Sequence, residues 1–158
     1  TANDMNSLGE LGLEVKLVNL QEYFGKQDEL KRILEELGAI FISGGNVFVL
    51  RQAMKLSGLD AILRELQSTD FLYAGYSAAG CVLAASLKGM DIVDPLDTPY
   101  GGQNEILWDG LGFVDFRFMP HWDSGHSESE DIEKEIAYCK ENNIPYKAVR
   151  DGEVIILE

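Results

Sequence analysis

The segment FLYAGYSAAGC, residues 71–81, joins an apolar run to a Gly-Tyr-Ser turn and then to a series of small residues. A short apolar run is typical of a strand in a parallel sheet, and the small residues suit the start of a helix. The segment therefore predicts a strand, a tight turn and a helix, with Ser77 at the turn. Whether Ser77 is a nucleophile or only a small residue at a bend depends on the rest of the chain.

The sequence before this segment repeats the same succession of elements. AIFIS at 39–43 is short, continuous and apolar, as a strand buried on both faces should be, and Gly-Gly-Asn follows at 44–46. Apolar residues at helical spacing predict a helix at 28–37, with Asp28 as a possible N-cap, and alternation predicts a strand at 13–20. Two further helical patterns, VFVLRQAMKLSG and LDAILREL, precede residue 71. This order is the signature of an α/β fold on a mainly parallel sheet.

The second half of the chain begins with a Gly- and Pro-rich stretch at 91–105, which we expect to be a long surface excursion. GFVDFRFMP at 112–120 predicts a strand, and the acidic segment 127–143 predicts a helix. YKAVRDGEVIIL at 146–157 predicts two strands joined by a tight Asp-Gly turn. The helix residues expected to face inward are Ile132, Ile136 and Tyr138 or Cys139.

Composition limits the class of protein. With 158 residues and 46% hydrophobic content, we expect residues 1–158 to form one domain. The formal charge of -14 repels phosphate backbones and anionic lipid, so neither a nucleic acid nor a membrane is an expected partner. No apolar run approaches the roughly 18 residues of a spanning helix, and we expect a cytoplasmic location. Cys81 and Cys139 have no metal-ligand or disulfide spacing and are interpreted as buried free thiols.

In open parallel α/β sheets, functional groups gather beyond the carboxyl ends of the strands. Four such points stand out here: Gly-Gly-Asn at 44–46, Ser77, His121 and Asp151. A serine on a sharp strand-to-helix turn needs small neighbours, but Ala79 stands where the strict pattern has its second glycine. Read locally, Ser77 is therefore either a nucleophile or a serine that starts a helix.

His121 is one of two histidines, and the other, His126, lies in the same loop. Imidazole is the side chain that titrates near neutral pH without perturbation, so His121 at a turn after an apolar strand is a candidate general base. A metal site of His121, His126 and Asp123 is the weaker alternative, and we expect no metal. Asp151 has an ordinary explanation as half of an Asp-Gly turn. Composition alone does not favour it over Asp91, Asp94, Asp97 or Asp123.

Four segments in order, FISGGNVFVLRQAMKLSGLDAILREL, AGYSAAG, VDPLD and GLGFVDFRFMPHW, resemble the peptidase E family of serine peptidases. The resemblance implies a three-layer α/β fold similar to class I glutamine amidotransferases. It also implies Ser77 as nucleophile and His121 as general base, with the Ser77 hydroxyl within hydrogen-bond reach of the imidazole. The backbone N–H groups of Gly45 and Ala78 would form the oxyanion hole. In this family the third triad residue is an acid before a late glycine, which points to Asp151, with Asp91 and Asp94 as alternatives.

The resemblance further implies hydrolysis of small peptides through an acyl-enzyme, with no metal or organic cofactor. We expect Gly44, Asn46 and Ser129 to contact the substrate. Ser129 is the nearest match to an arginine that recognises acidic side chains in aspartyl dipeptidases, so preference for an N-terminal Asp is not expected. An amidotransferase-like activity would need a cysteine at the turn, and Cys81 lies four residues too late.

The family fold begins with a strand, a helix and a second strand before the region matched here. We therefore expect an N-terminally incomplete fold, with an exposed apolar sheet edge that a homodimer contact would cover. The alternative function is a catalytically silent or truncated family member that acts as a binding or assembly module.

Overall fold

The structure is a computed structural model that describes residues 1–101 and 105–158. Residues 102–104, part of the predicted excursion at 91–105, lie outside the described residues. The helices are α1 (Ala2–Glu10), α2 (Gln27–Glu35), α3 (Val47–Ser57), α4 (Leu59–Leu66), α5 (Ala78–Cys81) and α6 (Ser129–Glu141). The strands are β1 (Ala39–Ile42), β2 (Leu72–Gly75), β3 (Arg117–Met119) and β4 (Tyr146–Ala148). Short 3-10 helices occupy Leu20–Tyr23 and Met90–Ile92.

The strands pair in two parallel sets, which confirms the α/β fold with parallel strands flanked by helices. β1 pairs with β2 from Ala39 opposite Leu72 to Ile42 opposite Gly75. β3 pairs with β4 in the same parallel sense. Parallel strands carry their carboxyl ends to the same edge of a sheet. The loops after β1 and β2 therefore meet, and so do the loops after β3 and β4.

The core is formed by two clusters of buried apolar side chains. The larger one packs α2, α3 and α4 against β1, β2 and the residues around α5. Fully buried members include Leu30, Met54, Leu59, Ile62 and Leu87. The smaller cluster packs α6 against β3 and β4, and its buried members are Met119, Ile132, Ile136 and Cys139. Each cluster therefore supports one pair of strands. The larger cluster packs against β1 and β2, and the smaller cluster packs against β3 and β4.

Helix α3 starts immediately after the Gly-Gly turn because Asn46 caps it. The Asn46 Oδ1 accepts hydrogen bonds from the N–H groups of Phe48 at 2.9 Å and Val49 at 3.0 Å. The helix ends at Gly58, whose φ of 77° is left-handed and suits a residue without a Cβ. The cap thus fixes the residue at which α3 begins. It thereby also holds the Gly-Gly turn between β1 and α3 beside Ser77.

Several sequence-based boundaries are wrong. Residues 13–20 form no strand, and Leu13 and Leu17 are 56% and 69% exposed, so the alternating pattern buries no face. Residues 153–158 also form no strand, although the Asp-Gly turn is present with the Glu153 N–H donating to the Arg150 carbonyl. The strand predicted at 112–120 is limited to β3. In each case, no neighbouring strand pairs with the remaining residues within the described part of the chain.

Three finer predictions also need correction. β1 is not buried on both faces, because Phe41 and Leu72, which share one face of the β1–β2 pair, are exposed. Helix α2 is preceded by Lys26 rather than capped by Asp28. Cys139 is buried as predicted, but Cys81 is only partly buried, and both are free thiols. Within the described residues, no helix is long and apolar enough to cross a membrane.

Candidate active site

Ser77 occupies a strained turn between β2 and α5. Its backbone has φ 53° and ψ -120°, a conformation that side-chain-bearing residues rarely adopt and that costs on the order of 1–3 kcal/mol. Such strain is typical of a strand-to-helix turn that exposes the hydroxyl of a nucleophilic serine. A serine that merely starts a helix would adopt an extended conformation and accept a hydrogen bond from the helix, but the Ser77 side chain makes no such bond.

The small residues around the turn are required by close packing. A Cβ on Gly44 would lie 2.8 Å from Tyr76 Cε2 and 3.0 Å from the Ser77 Cβ. A Cβ on Gly75 would lie 2.6 Å from the Ala79 Cβ and 2.6 Å from the Ile42 carbonyl oxygen. The Ala79 methyl group, which departs from the strict glycine pattern, is therefore accommodated because Gly75 carries no side chain.

Two backbone N–H groups lie in the turns that follow β1 and β2. Gly45 follows β1 with φ 148°, and Ala78 follows Ser77 at the first position of α5. Within the described residues, neither N–H donates a hydrogen bond to another group. Free N–H groups at adjacent strand ends are the donors that an oxyanion hole requires. The two turns lie close together at Gly44, where an added Cβ would lie 3.0 Å from the Ser77 Cβ.

His121 and Asp151 follow β3 and β4, and the parallel pairing of these strands places them side by side. The His121 Nδ1 lies 2.6 Å from the Asp151 Oδ1. Hydrogen bonds from His121 and then from Ser124 lower the pKa of the Asp151 carboxyl. His121 also has a positive φ of 60°, so both Ser77 and His121 occupy strained positions.

The alternative acids make other contacts. The Asp94 carboxylate accepts a hydrogen bond from the Val47 N–H at 2.7 Å, and Asp91 accepts one from the Gly89 N–H at 3.1 Å. Asp123 pairs with Arg150 at 2.6 Å. Of the acids considered from the sequence, the structure brings Asp151 to the imidazole.

The expected direct bond between Ser77 and His121 is absent in this conformation. Among the described residues, no hydrogen bond joins the Ser77 hydroxyl to either ring nitrogen of His121, so that expectation is wrong for this state. Ser77 and Pro120, the neighbour of His121, nevertheless line the same cavity. The imidazole is held by Asp151 on one edge and by a stacked His126 ring 3.8 Å away. Catalytic hydrogen bonds are often long before substrate binds.

The remaining predicted site residues have structural partners. Asn46 uses its Oδ1 as the cap of α3 and donates from its Nδ2 to the Pro95 carbonyl at 2.6 Å. The Ser129 hydroxyl accepts a hydrogen bond from the Ser124 N–H at 3.3 Å. Both side chains therefore organise the loops around Ser77 and His121, and a substrate contact from either stays a prediction.

The cavity beside Ser77 is small and acidic. Its volume of about 20 Å³ is close to that of one water molecule, and Asp94, Glu128 and Glu135 line it together with Cys81. Sequence reasoning missed the contribution of Glu135. Its position three residues after Ile132 and one before Ile136 places it on the inward face of α6, and this helical spacing was the available signal.

Glu135 is buried, and its ion pair with Arg117 lacks a hydrogen bond. Its Oε1 lies 3.6 Å from Arg117 Nη1, and neither of these two atoms makes a hydrogen bond. Burial raises the pKa of Glu135 to about 7, against the opposing charge of Arg117. Burial also raises the pKa of the Cys81 thiol, with a further contribution from the nearby Glu135 carboxylate. A protonated thiol is a poor nucleophile, which disfavours cysteine chemistry at this site.

Comparison with known proteins identifies the family of the chain. The profile of peptidase family S51 matches residues 1–158. The chain belongs to peptidase family S51. It is 29% identical to the peptidase E of Streptomyces coelicolor, over all of this chain and 62% of that protein. It is 27% identical to an uncharacterized peptidase of Listeria innocua, over 90% of this chain and 57% of the relative.

A crystal structure of a protein assigned as a peptidase E, from Listeria monocytogenes, matches with a TM-score of 0.73 at 24% identity. The match covers 95% of this chain and 73% of that one. It supports the same α/β fold, similar to class I glutamine amidotransferases. The S51 chain spans about three fifths of the length of the two relatives named above.

Proposed function

We propose that this S51 chain carries the active site of a serine peptidase that cleaves small peptides through an acyl-enzyme. The observation that carries the proposal is the strained backbone of Ser77 at the turn between β2 and α5. The N–H groups of Gly45 and Ala78, in the turns after β1 and β2, donate no hydrogen bond within the described residues. The hydrogen-bonded pair of His121 and Asp151, positioned by β3 and β4, supplies a base next to the same cavity.

In this mechanism Nε2 of His121 is the atom that receives the Ser77 proton, because Nδ1 is already paired with Asp151. The Ser77 oxygen attacks the peptide carbonyl while the Gly45 and Ala78 N–H groups stabilise the oxyanion. The imidazolium then donates its proton to the leaving amine, and Asp151 stabilises the positive ring. A water molecule, deprotonated by the same nitrogen, releases the acyl group and restores Ser77.

The mechanism requires His121 to approach Ser77 from its present position. The loop that carries His121 consists of turns and bends, and the imidazole contacts Asp151 and the stacked ring of His126. Substrate binding closes the remaining gap between His121 and Ser77 to hydrogen-bond distance. The proposal thus includes a specific displacement of Nε2 toward the Ser77 oxygen.

We further propose that the substrate presents a positive group, such as a free α-ammonium, near Ser77. Asp94, Glu128 and Glu135 give the cavity there acidic walls. A carboxylate placed against these groups would be repelled. Preference for an acidic N-terminal residue is accordingly not part of the proposal.

A fluorophosphonate probe tests the proposal, because it labels a serine only where the hydroxyl is activated. The intact protein should be labelled, and labelling should fall at least 100-fold in Ser77→Ala and His121→Ala. Ser68→Ala, a change at an exposed serine, is the matched control and should label like the parent. Intact protein that takes up no probe would overturn the enzyme proposal.

The alternative, a binding or assembly module, is favoured by one observation. The face of the β1–β2 pair that carries Phe41 and Leu72 is exposed, with relative exposures of 40% and 60%. Exposed apolar sheet surface commonly marks an interaction site. In the probe experiment this alternative predicts a folded protein that remains unlabelled. A homodimer and a cytoplasmic location stay predictions.

A further inference from the structure

The loop beyond the proposed general base holds three potential metal ligands. His121, His126 and Glu128 each offer one ligand atom, and these atoms all lie within 4.8 Å of one another. Among the residues that the structure describes, this is the one such group of three or more histidine, cysteine or acidic side chains.

The orientation of His121 matches that of a metal-binding histidine. Its Nδ1 is hydrogen-bonded to the Asp151 carboxylate at 2.6 Å, which leaves Nε2 as the nitrogen with a lone pair. Histidines that bind metals almost always donate their other ring N–H to a carboxylate or carbonyl, since this fixes the tautomer and makes the ligating nitrogen more basic. The Asp151 carboxylate would therefore stabilise a metal ion bound to His121 Nε2, just as it stabilises a proton on that nitrogen.

The spacing of the other two ligands is close to that of a zinc site. His126 Nδ1 lies 3.8 Å from Glu128 Oε2. Two ligands of a tetrahedral zinc ion, each bound at about 2.0–2.1 Å, are about 3.4 Å apart, so little contraction is needed. Binding at Nδ1 displaces the hydrogen bond that this atom accepts from the Glu128 N–H at 3.2 Å.

The site is accessible from solvent and can rearrange. His126 and Glu128 have side-chain exposures of 39% and 37%, so an ion can reach them without opening the core. The rings of His121 and His126 are stacked 3.8 Å apart at 14°. Their lone pairs therefore lie in two nearly parallel planes and do not meet at one metal ion. Binding must therefore tilt the exposed His126 ring out of the stack.

We propose that this loop binds one Zn²⁺ through His121 Nε2, His126 and Glu128, with water as the fourth ligand. Two imidazoles and one carboxylate form a donor set typical of zinc. The ion occupies the nitrogen that would accept the Ser77 proton, so it inhibits the enzyme reversibly. The binding step stands on the loop geometry alone, whereas the inhibition rests on the proposed peptidase function.

Isothermal titration calorimetry with Zn²⁺ tests the binding step on the intact protein, independently of activity. The parent should bind one ion per chain, and the affinity should fall at least tenfold in His126→Ala and in Glu128→Gln. Glu130→Gln, a change at an exposed carboxylate two residues further along, is the matched control and should bind like the parent. No saturable binding by the parent, or an equal loss in Glu130→Gln, overturns the site.

A second readout separates this inference from the proposed function. Zn²⁺ should slow fluorophosphonate labelling of the parent at least tenfold, and at the same concentration it should slow labelling of His126→Ala by less than twofold relative to that variant without zinc. Equal zinc inhibition of parent and variant overturns the inhibitory site. If the parent binds zinc in the calorimeter but is never labelled, the peptidase proposal fails and the zinc site stands.

Discussion

At the scale of single residues, the backbone of Ser77 and the contact between His121 and Asp151 carry the functional account. The serine was visible in the sequence, but its left-handed conformation depends on how Gly44 and Gly75 pack against the turn. The sequence likewise does not distinguish Asp151 from Asp94. The pairing of β3 with β4 brings Asp151 to the imidazole, and this pairing is not visible in the sequence. The position of His121 relative to Ser77 could not be predicted, since it is set by loop contacts such as the stack on His126.

Replacement of Asp151 should slow catalysis without unfolding the protein. In Asp151→Asn the amide no longer stabilises the imidazolium, so we expect fluorophosphonate labelling to slow by about 10²- to 10⁴-fold. Asp123→Asn is the matched control, because Asp123 lies in the same loop region but contacts Arg150 instead. Comparable loss in both variants would show that the loop, rather than the contact with His121, determines the rate.

Gly75 should tolerate no side chain. The new methyl group in Gly75→Ala would lie 2.6 Å from both the Ala79 Cβ and the Ile42 carbonyl oxygen, and we expect a loss of about 1–3 kcal/mol in the free energy of unfolding. Urea denaturation measures this loss. Gly38→Ala is the control, because a Cβ there meets nothing within 4 Å. Equal stability of the two variants would contradict the packing around the Ser77 turn.

Glu135 should make stability depend on pH. Its pKa is raised from 4.5 to about 7 by burial, so between these values the folded protein keeps a proton that the unfolded chain has lost. The free energy of unfolding should therefore decrease as the pH rises from about 4.5 to 7. Glu135→Gln stays neutral throughout, so its stability relative to the parent should improve by on the order of 1–3 kcal/mol from pH 5 to pH 8. Urea denaturation at both pH values measures this, and an unchanged difference would refute the raised pKa.

At the scale of elements, helices were predicted more accurately than strands. α3, α4 and α6 lie within one or two residues of their predicted positions because apolar residues at helical spacing bury one continuous face. A strand is stable only where a neighbouring strand pairs with it, so the alternating run at 13–20 and the second strand predicted after the Asp-Gly turn are irregular. The helical pattern itself does not indicate where α3 starts, and the Asn46 cap supplies that boundary.

The cap of α3 should contribute measurably to stability. Asn46→Ala removes the acceptor for the Phe48 and Val49 N–H groups, and we expect it to cost about 0.5–2 kcal/mol of the free energy of unfolding. Asn46→Ser retains a capping oxygen and should recover most of that loss. Thermal or urea denaturation of both variants provides the measurement. If alanine and serine are equally destabilising, the helix does not depend on this cap.

At the scale of the whole molecule, the prediction of a homodimer depends on the exposed face of the β1–β2 pair. Register places Phe41 and Leu72 on one face, while Ile40 and Tyr73 pack into the core from the other. A homodimer that covers this face should dissociate in Leu72→Lys, which light scattering would record as a halving of the molar mass. Leu157→Lys, a change at another exposed leucine, should leave the mass unchanged. A parent protein of monomer mass would contradict the homodimer.

In the proposed mechanism, Ser77 attacks a peptide carbonyl carbon, the Gly45 and Ala78 N–H groups bind the carbonyl oxygen, and His121 accepts the Ser77 proton. A crystal structure of the protein after reaction with a fluorophosphonate tests it most directly. We expect phosphorus bonded to the Ser77 oxygen, a phosphoryl oxygen within about 3.1 Å of the Gly45 and Ala78 nitrogens, and His121 Nε2 within about 3.2 Å of the Ser77 oxygen. A phosphonate on another residue, or an imidazole that remains out of reach in the adduct, would contradict the account.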